Sequence, residues 1–168
     1  PRGIYDRTTR GMRIYLATPL LRGLLSLNLA AAAAGAMVLV NTVVLVRSDL
    51  GLGETQVAIA LGAFGAGSML AALLLPRLLE NRPDRPVMIG GAAVLVASLL
   101  GLSLLSLVYG IQWVPLLVGW LIVGIGYSTV LTPSGRLLKR SAHAEDRPAV
   151  YAAQFALSHA CWLVTYPL

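Results

Sequence analysis

The sequence predicts an all-α fold, a polytopic membrane helical bundle with five transmembrane helices, and three observations lead there. Fifty consecutive residues, Pro86 to Gly135, contain no Asp, Glu, Lys, Arg or His. A soluble domain would have to turn half of such a run to water, whereas one bilayer pass needs about 20 apolar residues, so the run suits two passes. Hydrophobic residues make up 57% of the chain and charged ones 12%, with a mean hydropathy of +0.77. Soluble domains carry about 25% charged residues. The basic residues lie in short segments between apolar runs and form no continuous face. The net charge of +6 therefore reflects membrane topology, and no nucleic-acid partner is expected.

Residues 1–15 read as the tail of a cytoplasmic linker, with Arg2, Arg7, Arg10 and Arg13 against Asp6 alone. Residues 16–168 read as the transmembrane bundle. Its spans fall at about 20–46, 55–76, 87–108, 113–135 and 149–168, by apolar length. In the first, Arg22 snorkels toward the headgroups and Ala30 to Ala34 give a smooth face. Gly51 and Gly53 break the chain before the second, where Ala58, Gly62 and Ala66 form a small-residue ridge for helix packing. Pro76 to Pro86 is a charged loop. The third span carries a similar ridge, Ala93, Ala97 and Gly101. Tyr109-Gly110-Ile111-Gln112-Trp113-Val114-Pro115 supplies the turn to the fourth, whose Gly124, Ser128 and Thr132 share one face. Arg136 to Pro148 is the last charged loop before the fifth span.

Counted by loop, Lys and Arg number five up to Arg22, one at Arg47, three at Arg77, Arg82 and Arg85, none at the Gly110 turn, and four from Arg136 to Arg147. Twelve of the thirteen thus share one side, which the positive-inside rule makes cytoplasmic, with the N-terminus inside. The first apolar run is too long for a signal-peptide core, so no cleavable targeting signal is expected. The chain opens on Pro1 and closes on Tyr166-Pro167-Leu168 within an apolar segment, so a piece of a longer membrane protein is expected. The single cysteine, Cys161, excludes an internal disulfide framework and a Cys-based metal cluster.

This arrangement resembles the C-terminal half of a major facilitator superfamily transporter, its spans matching the seventh to eleventh helices of a twelve-helix carrier fold. The family's cytoplasmic loop pattern, Gly-x-x-x-Asp-Arg-x-Gly-Arg-Arg, falls on residues 76–85, with Glu80 at the acidic position and Arg85 at the last basic one. Pro76 and Pro83 stand where the pattern has glycines, and Asn81 and Asp84 where it has arginines. The glycine-rich fourth span and the loop from Gly135-Arg-Leu-Leu-Lys-Arg-Ser to Glu145-Asp-Arg-Pro resemble the tenth helix and the loop after it. The resemblance implies that the first and fourth spans line a central cavity.

Carriers need polar groups at membrane depth and helices that shift between two packings. Asn28 and Asn41 lie thirteen residues apart on the first span, more than half a turn out of phase and about 20 Å apart in height. They cannot both face one small solute; each suits an interhelical hydrogen bond or the substrate path. Tyr127 suits the cavity or packing. The last span carries Gln154, Ser158, His159, Cys161 and Trp162. His159 suits a proton relay or a buried neutral role, and Trp162 joins the candidate substrate path. His159 and Cys161 point about 200° apart on a helix, which makes a metal chelate from that pair unfavourable. Glu80 and Arg85 are candidates for a conformational contact of the cytoplasmic loop, with Glu80 capping a helix end or pairing with an arginine.

Every acidic residue reads as lying in a loop, and no nucleophile-base set, phosphate loop or metal spacing is present, so neither an enzyme nor a cofactor or metal site is expected. The expected function is secondary active transport of a small molecule, in the efflux direction, across a bacterial inner membrane. The expected partners are membrane lipid, the small-molecule substrate, a coupling proton and the missing N-terminal half. The alternatives are an importer of a sugar or metabolite in the same fold and a non-transporting membrane subunit or assembly factor.

Overall fold

The computed structural model describes residues 4–80 and 83–167; Pro1, Arg2, Asn81, Arg82 and Leu168, used in the sequence reading, lie outside them. The described residues form seven α-helices: α1 (Ile4–Ala17), α2 (Pro19–Val44), α3 (Glu54–Leu79), α4 (Asp84–Tyr109), α5 (Trp113–Leu131), α6 (Ser134–Ser141) and α7 (Arg147–Thr165). With no water in a bilayer core to satisfy backbone polar groups, helices that bond internally are one of two structures able to cross it.

Four segments are long and apolar enough to do so among the described residues: Pro19–Asp49, Glu54–Arg77, Asp84–Tyr109 and Trp113–Ser141. This corrects the expected five. The fifth, α7, is helical for 19 residues, but Arg147, Gln154, Ser158, His159 and Thr165 dilute its apolar content. The span boundaries also shift. The chain stays helical through Pro76 to Leu79, so the loop there is shorter than its prolines suggested. At the far end, α2 continues through a wide π-helical turn, Leu45–Asp49. Gly51 (φ 64°) and Gly110 (φ 72°) take left-handed conformations that end the helices before them. The fourth span is interrupted at Thr132-Pro133, where the Ser134 hydroxyl donates to the Leu131 carbonyl at 2.6 Å.

Within the stretch read as a linker tail, the described residues from Ile4 onward are helical: α1 packs against α7 and α2. Tyr15 is fully buried there, with Leu21, Leu24, Leu137 and Val150 around it. Arg10 reaches Asp146 at 2.7 Å, and Gly11 lies so close to α7 that a Cβ would sit 2.0 Å from the Ala149 carbonyl oxygen.

The remaining helices pack as two groups. α3 and α4 both lie against α5, at contacts where backbones touch through glycine. A Cβ on Gly67 would meet the Leu121 carbonyl oxygen at 2.0 Å, and one on Gly124 the Phe64 carbonyl oxygen at 2.1 Å. Gly91 and Gly126 make a similar approach between α4 and α5. The second group is α2 with α7 and α1, where Gly35 accepts the edge of the Trp162 indole. A cluster centred on Val38, Ala60, Leu95, Trp120 and Val123 joins the groups. The expected ridges are elsewhere: Ala58, Gly62, Ala93 and Ala97 are exposed, and nothing lies within 4 Å of a Cβ on Gly62 or Gly101. A four-residue spacing defines a helix face without saying which face meets protein. Large apolar side chains such as Leu104, Leu107 and Val108 point outward on α4, the arrangement suited to lipid.

Candidate functional site

At the seam between the two groups, α2, α5 and α7 leave a cleft of about 260 Å³. Asn28 and Ala31 face it from α2, Tyr127 from α5, Ser134 from the start of α6, and Gln154, Ser158 and Trp162 from α7. Ala31 and Ala32 are short enough to leave the space open. Asn28, Tyr127 and Trp162, singled out in the sequence, are thus brought together, although Asn28 and Trp162 are 134 positions apart. Sequence reasoning named Gln154 and Ser158 as polar residues of the last helix without assigning them to the path, and it missed Ser134. Their signal was present in the four-residue spacing 154, 158, 162 on one helix face.

Most of these polar groups are already held by one bond. Asn28, buried, donates through Nδ2 to the Leu24 carbonyl at 3.0 Å. The Ser134 and Ser158 hydroxyls donate to the Leu131 and Phe155 carbonyls at 2.6 and 3.0 Å. Gln154 accepts at Oε1 from the Tyr15 hydroxyl. Burial pushes the Tyr15 phenol up to about 12, so it stays a neutral donor across the physiological range. The Tyr127 ring meets Phe64 edge to face at 5.5 Å between centroids.

Two of the sequence candidates lie away from the cleft. Asn41 is 13 residues further along α2, where its amide contacts the Met37 sulfur at 3.0 Å. His159 is exposed; its Nδ1 lies 2.7 Å from the Phe155 carbonyl oxygen and its ring 4.0 Å from the Phe155 ring. Its neighbour Ser158 faces the cleft, and a helix turns 100° between them.

At the arginine-rich end, the ion pairing centres on Asp84. Its carboxylate is buried at the first turn of α4, where negative charge is favoured. It accepts from Arg136 Nε at 2.7 Å, again from Arg136 Nη2, and from Arg140 Nη1 at 3.3 Å. Arg136 also donates through Nη1 to the Leu79 carbonyl at 3.1 Å, so one side chain joins the end of α3, the start of α4 and α6. Glu80 and Arg85, the sequence candidates in this loop, are both exposed. Asp84 is one of the departures from the family loop pattern. Because the pattern has a basic residue in its place, the resemblance gives no sign of an ion-pair centre there.

The architecture is that of a multi-pass α-helical membrane protein with a polar cleft where its helix groups meet. The chain belongs to the Major Facilitator Superfamily, whose family model matches residues 24–168, and it is a membrane transporter of that superfamily. No curated protein and no solved structure matches it.

Proposed function

We propose secondary active transport of a small molecule along the seam between α2, α5 and α7. The observation that carries this reading is the convergence of Asn28, Tyr127 and Trp162 from three helices on one cleft. Polar side chains are costly at membrane depth and are retained there where they serve a path or a partner. The two helix groups flanking the cleft are the bodies whose relative tilt would open it to either side. An N-terminal half of the same protein, absent from these 168 residues, is proposed to supply the opposite wall.

The orientation proposed is cytoplasmic for the arginine-rich end, on the strength of the Lys and Arg count, in a bacterial inner membrane. The direction proposed is efflux, supported by the alanine- and arginine-rich composition. The proton proposed as coupling ion is not assigned to His159, which lies off the cleft. Reconstitution of the full-length protein into liposomes tests the reading. Saturable solute flux that rises with an imposed proton gradient is the expected result. Flux equal to that of protein-free liposomes contradicts it, and accumulation driven only into the cytoplasmic side reverses the direction.

A further inference from the structure

The hydrogen bonds around the cleft determine what it offers a solute. A backbone carbonyl can only accept, so the Asn28 amide must present its N–H to Leu24 and leaves Oδ1 as an acceptor toward the cleft. The same logic applies to Ser134 and Ser158, whose hydroxyl protons are committed to Leu131 and Phe155 and whose lone pairs remain. Gln154 is oriented the other way. The fully buried Tyr15 hydroxyl needs an acceptor, and it takes Gln154 Oε1, so the Gln154 NH₂ is left to donate. The Tyr127 hydroxyl can donate or accept. Among the described residues, none that lines the cleft carries a charge.

We propose that the cleft takes an uncharged, polyhydroxylated solute, and that Tyr15 on α1 fixes Gln154 as the cleft's amide donor. Three acceptors alone would suit an ammonium group, and donors alone would suit a carboxylate. A mixed set with no counter-ion suits hydroxyls, each of which donates and accepts. A net charge moved into an uncompensated apolar setting loses hydration that nothing here replaces. The Trp162 indole adds a flat apolar wall for the carbon skeleton. The volume of about 260 Å³ lies just below the roughly 300–1,000 Å³ of drug-sized pockets, as suits a solute of monosaccharide size. Tyr15 touches no solute; it is a positioning residue acting through Gln154 from outside the membrane spans. This inference rests on the cleft being the transport path.

Binding to the full-length protein in nanodiscs tests it, with D-glucose, sorbitol and myo-inositol as neutral probes, tetraphenylphosphonium as cation and benzoate as anion. At least one neutral probe is expected to raise the melting temperature and to quench fluorescence in a way that Trp162→Phe abolishes. Stabilisation by the charged probes alone, or by none of the five, overturns the proposal. Tyr15→Phe keeps the ring and loses the hydroxyl, and is expected to weaken the neutral probe about tenfold. The double variant Tyr15→Phe/Gln154→Met is expected to bind no more weakly than Gln154→Met alone. Additive losses would overturn the positioning role. Binding without flux in liposomes would sink the transport reading and leave the site standing; flux of the charged probes alone would do the reverse.

Discussion

Thr42 stands at the centre of the bundle and has both ends of its hydroxyl in use. It donates to the Val38 carbonyl of its own helix and accepts from the Trp120 indole Nε1 at 2.8 Å. Both residues are buried, so the pair ties α2 to α5 toward the end opposite the arginine-rich one. Thr42→Val keeps the shape and strands the indole N–H. It is expected to lower stability by about 1–3 kcal/mol, read as a lower melting temperature in detergent, with Thr42→Ser close to wild type. At the arginine-rich end, Asp84→Asn removes the charge that holds Arg136, whose side chain is 35% exposed. Part of that interaction is screened by water, so a loss of about 1–2 kcal/mol is expected. Glu80→Gln, on an exposed side chain, should stay within about 0.5 kcal/mol. Equal effects for the two would remove Asp84 from the centre of that contact. Tyr15, with its phenol pushed up to about 12, favours the neutral form in the fold. Its contribution is therefore complete below about pH 10, the unfolded value, and falls away as pH rises toward 12. An ultraviolet titration of wild type against Tyr15→Phe checks this: the tyrosinate absorbance that the variant lacks is expected to rise toward pH 12, and a rise centred on about pH 10, the ordinary phenol value, would contradict it.

Between helices, the decisive contacts are glycine against backbone. Gly124→Ala would put a methyl 2.1 Å from the Phe64 carbonyl oxygen, which a backbone cannot avoid by changing rotamer. A loss of about 1–3 kcal/mol is expected, while Gly62→Ala, with open space around it, should be neutral or slightly stabilising through helix propensity. Melting curves of the two variants side by side measure the difference. These helices also mark the limit of what the sequence makes legible. Apolar run length makes the helical bundle legible, because bilayer thickness sets how long such a run must be. The small-residue spacing at Ala58, Gly62 and Ala66 is equally visible, yet Ala58 and Gly62 face outward, whereas Gly67 and Gly124 make the contact. In a chain apolar all round, hydrophobicity no longer marks the buried face. The fold of α1 was hidden for the opposite reason. Its arginines dominate the composition, while Gly11, Met12 and Tyr15 supply the packing face.

On the scale of the molecule, the cleft lies where the α3–α4–α5 group meets the α2–α7 group. It was half legible. Polar residues at membrane depth drew attention to Asn28, Tyr127 and Trp162, and equally to Asn41 and His159. Only the relative rotation of three helices separates the first set from the second, and that rotation follows from Gly35 against Trp162 and Gly124 against Phe64, contacts distant in sequence. If this seam is the transport path, water reaches it, and the opposite face of α7 meets lipid. Residues Ser158 and His159 are adjacent in the chain and fall on either side of that divide. The most direct measurement is the labelling of Ser158→Cys and His159→Cys by a membrane-impermeant maleimide, in the full-length protein carrying Cys161→Ser. Rapid labelling at 158 with little at 159 is the result this account predicts. Labelling at 159 with none at 158 would contradict it.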